Sequence, residues 1–63
     1  MRWRHDVRHR RMLGPERCEA WQGPDGWWRA RDRSGQVVRD ITGDSQLYQH
    51  AHEAQQAAEE AGR

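Results

Sequence analysis

The sequence predicts an α+β fold: a three-stranded antiparallel sheet over residues 17–22, 27–33 and 36–42, packed on one C-terminal helix over residues 45–61. Three observations predict it. Two glycine-closed strings, Gly23-Pro24-Asp25-Gly26 and Asp32-Arg33-Ser34-Gly35, divide the middle of the chain into strand-length pieces. Along those pieces small apolar residues alternate with large or charged ones, the period of a half-buried strand. Beyond Gly43 the apolar positions recur at steps of four and three, the period of an amphipathic helix.

Each turn string fits a type I turn followed by a left-handed glycine. If both hairpins close this way, the register follows: Glu19 faces Arg31, Ala20 faces Ala30 and Trp21 faces Arg29, while on the other side Ala30 faces Val38 and Arg29 faces Arg39. A two-residue Ser34-Gly35 loop would pair Ala30 with Arg39 and mix inward with outward positions, so it is rejected. The accepted register puts Cys18, Ala20, Trp28, Ala30 and Val38 on one face. Trp21, Trp27, Arg29, Arg31, Val37, Arg39 and Ile41 lie on the other. Only the first set is small and apolar enough to sit under a helix.

The helix is expected to open after Thr42-Gly43 with Asp44 or Ser45 as N-cap. Leu47, Ala51, Ala54, Ala58 and Ala61 form its narrow apolar stripe, mostly of small residues, and Gly62 suits the position past its end. Asp40 falls on the inner face opposite Trp28, where it would cap backbone groups near the helix start. No internal repeat is evident.

Residues 1–15 precede this β-β-β-α domain of residues 16–63. Trp3, His5, Val7 and His9 alternate with Arg2, Arg4, Asp6, Arg8 and Arg10. That period permits an extra strand, and equally a basic N-terminal arm.

At 63 residues the chain makes one domain, and such a chain buries only roughly 60% of the surface its unfolded form exposes. Hydrophobic residues are 33% of the total and Phe is absent. A core that small calls for help from a partner or a second copy, so a homodimer is expected. The single Cys18 excludes an internal disulfide and points to a reducing, cytoplasmic setting. Neither a membrane-spanning run nor a secretory signal is present in the sequence. Up to Arg39 the charge is about +5 and beyond it about −4. All eleven basic residues are Arg. Arginine suits bidentate recognition of phosphate or carboxylate, and a GC-rich genome gives the same bias with no function attached.

The helix-free face carries the most functional information. Trp21 and Trp27 with Val37 and Ile41 would leave an apolar patch in water, interleaved with Arg29, Arg31 and Arg39. Arg29 opposite Arg39 is a repulsive cross-strand pair that an anion would relieve. Aromatic and Arg side chains on an open sheet suit phosphate contact and base stacking, so DNA is the leading expected partner, with a protein partner nearly equal. A protein partner, a second copy packed sheet to sheet, or cover by the N-terminal segment would account for the same patch. Arg2, Arg4, Arg8, Arg10 and Arg11 give the N-terminal segment a salt-sensitive attraction to nucleic acid.

His5, His9, His50, His52 and Cys18 are candidate metal ligands, but without a second cysteine or a metal-binding spacing they read as surface histidines, and no metal or cofactor is expected. No phosphate loop, nucleophile elbow or Ser/His/Asp arrangement is present, so the chain reads as a non-enzymatic binding module.

The run Gly26-Trp27-Trp28-Arg29-Ala30-Arg31, then Ser34-Gly35-Gln36-Val37-Val38-Arg39, then the Ala-rich segment from Ser45, resembles the arm-type DNA-binding domain of tyrosine recombinases. That resemblance implies a sheet laid in the major groove, with DNA contact at Trp27, Arg29, Arg31 and Arg39. The Thr-x-x-Glu-Ala helix opening of that family is replaced by Asp44-Ser45-Gln46-Leu47, and no catalytic domain follows. The same order is also similar to HicB-type antitoxins, which neutralise a toxin, and to YegP-like domains. MbtH-like proteins share a Trp-rich sheet and helix, but their Ser-Leu-Trp-Pro signature is absent. These resemblances imply a phage- or mobile-element-encoded accessory protein: a DNA-binding regulator, or an interaction module that inhibits a host protein.

Overall fold

The computed structural model describes residues 3–61. It is an α+β fold, an open antiparallel sheet with one C-terminal helix. Strand β1 is Arg4–Asp6, followed by a turn of 3-10 helix at Val7–His9; β2 is Arg11–Leu13, β3 Glu19–Gln22, β4 Trp28–Arg31 and α1 Ala51–Glu60. The strands lie in the order β1-β2-β3-β4.

The central hairpin has the expected register, with Glu19 opposite Arg31, Ala20 opposite Ala30 and Trp21 opposite Arg29. Its glycine turn closes as the sequence requires. Gly26 sits at φ 86°, with Gly26 N–H donating to Gly23 O (3.0 Å) and Gly23 N–H to Trp27 O (2.9 Å). A side chain there would strain the backbone, because L residues rarely adopt this region.

The third strand does not form as one piece. Val37 bridges Arg31, and Val38 N–H donates to Ala30 O (2.9 Å), as expected, but the chain then leaves the sheet. A third glycine turn, Asp40-Ile41-Thr42-Gly43, folds residues 39–45 into their own small hairpin, with Arg39 bridged to Ser45 and Gly43 at φ 92°. The vacated place beside β4 is taken by Tyr48, which exchanges two 2.8 Å backbone bonds with Trp28. This antiparallel bridge sets Leu47, not Arg39, alongside Arg29.

That excursion also moves the helix start. The helix opens at Ala51, not near residue 45, and its cap residue is His50, not Asp44 or Ser45; the Glu53 carboxylate accepts the His50 N–H at 3.0 Å. Leu47 therefore lies before the helix, 39% exposed, and does not belong to its apolar stripe. Asp40 caps its own turn and not the helix: its Oδ1 accepts from Thr42 N–H, the Thr42 hydroxyl and Asp44 N–H.

The core is a layer of small residues. Ala20 and Ala30 of the sheet and Ala54 and Ala58 of the helix are completely buried, Cys18 is nearly so, and no large side chain among the described residues is fully buried. Trp3, Met12, Trp28, Val38, Tyr48 and Ala57 surround that layer. Alanine contact lets helix and sheet backbones approach closely, and the Cys18 thiol donates to Ala58 O at 3.6 Å. Burial pushes the Cys18 thiol pKa up, which keeps it protonated.

Residues 4–13 add a hairpin to the sheet and do not fold over its open face. Met12 pairs with Ala20, extending the inner row, and Trp3 packs on the core beside it. Trp3 lies so close to Gly14 that a Cβ there would come within 2.7 Å of the indole ring. Gly14 is not in the left-handed region, so its small size alone is what the fold uses.

Gly14→Ala should therefore displace Trp3 and cost about 1–3 kcal/mol, the usual range for overpacking. Gly26→Ala, where nothing lies within 4 Å of the added methyl, should cost about 1–2 kcal/mol from backbone strain alone. Denaturant melts give both costs. The Trp3 indole N–H resonance should shift only in the first variant.

Candidate functional site

The helix-free face is built from two cross-strand rows. One row runs Arg4, Leu13, Glu19, Arg31, Val37; the other runs Asp6, Arg11, Trp21, Arg29. Strand alternation places all of these side chains on the face away from Ala20 and Ala30.

Acids engage most of the arginines on this face. Arg11 lies between Asp6 (Nε–Oδ2, 3.2 Å) and Glu19 (Nη1–Oε2, 3.5 Å), and Glu19 also meets Arg31 Nε at 3.5 Å. The result is a ladder of alternating charge, Asp6, Arg11, Glu19, Arg31, that crosses all four strands. Arg31 also lies over the Trp21 ring, 5.4 Å from its centre, and donates through Nη1 to Gly35 O at 3.0 Å. Arg29 forms a two-pronged pair with Asp25, at 3.2 and 3.0 Å, and donates to Trp27 O. The hydrogen bond from His9, with help from Arg11, holds Asp6 below the usual carboxylate pKa, and Arg29 does the same for Asp25.

This arrangement corrects the sequence expectation at two points. Arg29 is not opposed by Arg39, so the repulsive pair that an anion was to relieve does not exist. Trp21 is half-buried beneath Arg31 and does not present a bare face for stacking. Trp27 remains 39% exposed, beside a shallow hollow of about 430 Å³ lined by Asp25, Gly26, Gln49 and His50. Leu47, which the sequence places on the helix, is 39% exposed and lies alongside Arg29 on the same face. Ile41 stands fully exposed at the tip of the third turn, away from β4.

Of the other expected contact residues, Arg4, Arg8 and Arg10 are exposed on the N-terminal hairpin, and none has a carboxylate partner among the described residues. Arg2 lies outside the described residues. Arg39 is exposed and, among the described residues, its side chain bonds only to Gly43 O, at 2.8 Å. Among the described residues no group of three His, Cys, Asp or Glu side chains is placed to hold a metal, and no helix is long and apolar enough to cross a membrane. His9 pairs with Asp6 (2.9 Å), and His50 stacks on His52.

The structure also shows an internal repeat that the sequence reading missed. Arg31-Asp32-Arg33-Ser34-Gly35 and Arg39-Asp40-Ile41-Thr42-Gly43 share the string Arg-Asp-x-(Ser/Thr)-Gly, eight residues apart. In both, the Asp carboxylate accepts the hydroxyl and backbone N–H two residues on. In both, the leading Arg donates to the glycine carbonyl. The Ser34 and Thr42 hydroxyls hold Asp32 and Asp40 below their ordinary pKa.

Asp6, Asp25, Asp32 and Asp40 thus all have folded pKa values below about 3.9, the unfolded value. Their stabilisation is present above that value and is lost as pH falls through the lower folded values. The melting temperature should stay level from about pH 7 to about pH 5 and fall only below about pH 4. A decline already complete by pH 6 would contradict this assignment.

Compared with known proteins, the chain gives no significant match to any family model, curated protein or solved structure.

Proposed function

We propose that the chain is a small non-enzymatic binding module that docks the Trp27 side of its open sheet face on an apolar patch of a protein partner. An inhibitor of a host protein, antitoxin-like or phage-encoded, works in this way. The observation that carries the proposal is the pairing of Arg11, Arg29 and Arg31 with Asp6, Glu19 and Asp25. A phosphate backbone is attracted by uncompensated cations, and these three are compensated. What the face offers instead is Trp27, Leu47 and Val37, with Trp21 rigidly held under Arg31. Exposed aromatic and aliphatic side chains beside fixed arginines are the composition of protein-interface centres. A cytoplasmic setting and a homodimeric assembly belong to the same proposal. They rest on the free, buried Cys18 and on a core in which no large side chain among the described residues is fully buried.

A second function, DNA binding, is favoured by one observation. Arg4, Arg8 and Arg10 are exposed on the N-terminal hairpin without acidic partners among the described residues, which favours that hairpin for contact with phosphates. Arg29, held by Asp25, does not belong to such a surface.

Pull-down from the native host with nuclease present, comparing the intact chain with Trp27→Ala and with Arg8→Gln/Arg10→Gln, separates the two. The proposal expects a specific protein to be captured by the intact chain and the arginine variant, and lost with Trp27→Ala at a cost of about 2 kcal/mol or more. Capture that disappears with nuclease, or with the arginine variant alone, contradicts it. A gel shift at low salt that weakens steeply as salt rises would establish the second function.

A further inference from the structure

We propose that the notch between the two repeated turns is an oxyanion site that takes a phosphomonoester. The notch, about 450 Å³, lies at the β4 edge of the open face and is lined by Arg31, Gly35, Gln36, Val37 and Arg39. Its two arginines occupy the same place in the repeat, the first position of Arg-Asp-x-(Ser/Thr)-Gly. Each is tethered to the turn it opens, Arg31 Nη1 to Gly35 O at 3.0 Å and Arg39 Nη1 to Gly43 O at 2.8 Å. A guanidinium has five N–H donors in a fixed fork, so one tether orients the group and leaves most donors open.

Arg31 is partly engaged, by Glu19 at Nε and by the Trp21 ring beneath it, so Arg39 is the main cation of the notch. Among the described residues Arg39 makes no ion pair and no other hydrogen bond. Arg31 meets Glu19 through Nε only, at 3.5 Å, and its Nη2 is uncommitted. No carboxylate lines the notch. The nearest acids in sequence, Asp32 and Asp40, are held by the hydroxyl and backbone donors of their own turns. The Gln36 amide adds a neutral donor.

The geometry also selects among oxyanions. Arg31 and Arg39, which open successive turns, both line the notch. A tetrahedral phosphomonoester, close to a dianion at neutral pH, has three terminal oxygens to accept from both. A phosphodiester has one charge and two such oxygens, and a planar carboxylate is satisfied by a single fork. The site does not rest on the proposed protein partner, since free phosphate is enough to occupy it.

The test is a titration of the full chain followed by amide and arginine Nε–H resonances at about pH 7.5 and constant ionic strength. The probes are inorganic phosphate, phosphoserine, dimethyl phosphate and acetate. Phosphate and phosphoserine should produce saturable shifts at Gly35, Gln36 and Arg39, with dimethyl phosphate and acetate roughly ten-fold weaker or more. Arg39→Gln should abolish saturation, Arg39→Lys should weaken it by losing the fork, and Arg8→Gln should leave it unchanged. Lowering the pH to about 5, below the second pKa of a phosphomonoester at about 6, should weaken phosphoserine binding. Shifts that do not saturate, shifts shared equally by Arg4, Arg8 and Arg10, or equal binding of the diester would overturn the proposal.

Discussion

The close contact of Ala54 and Ala58 with Ala20 and Ala30 is the constraint on which the rest of the fold depends. Four fully buried alanines bring the helix against the sheet, but they remove little apolar surface from water. At roughly 25 cal/mol per Å² of buried apolar area, such a core cannot stabilise a chain of this length without help from its periphery. The help comes from Trp3, Met12, Trp28 and Tyr48 packed around the alanine layer, and from turns whose conformations are fixed by glycine and Asp capping. Any larger residue at Ala20 or Ala30 would lift the helix and loosen this ring at once.

The same economy shapes the open face. Individually, exposed ion pairs contribute little, typically a few tenths of a kcal/mol to about 1 kcal/mol. Their more important effect here is on recognition. With Asp6, Glu19 and Asp25 holding Arg11, Arg29 and Arg31, the centre of the face has almost no net charge, and the uncompensated cations lie at its margins. Arg4, Arg8 and Arg10 mark one margin and Arg39 the other. A charge-neutralised centre with basic margins is a different surface from the uniformly basic, stacking face that the sequence suggested.

Much of this fold is legible in the sequence, and the parts that are not have identifiable physical reasons. The central hairpin could be placed to the residue because Gly26 gives the left-handed position its usual residue. The N-terminal hairpin was only permitted, because the left-handed positions that close it and its successor are occupied by Arg10 and Glu16, at φ 52° and 55°, and carry no glycine signal. The third turn was visible as Asp40-Ile41-Thr42-Gly43 but was read as a strand end and helix lead-in. The repeat with residues 31–35 was the signal that would have identified it. Sequence alternation assigned Trp21, Arg29 and Arg31 to the correct face. It could not show which acids reach them, since Glu19 and Asp25 are set beside their partners by register and by turn geometry.

The neutralised face is the central claim, and the side-chain Nε–H resonances of the arginines test it most directly. Exchange rates and chemical shifts measured for each arginine should divide into two classes. Arg11, Arg29 and Arg31 should show dispersed signals that exchange slowly and sharpen little on cooling, while Arg4, Arg8 and Arg10 should show fast-exchanging, averaged signals near the free-arginine position. Six arginines with indistinguishable averaged signals would mean that the ladder is not held in solution, and the open face would then be the basic surface that its sequence first suggested.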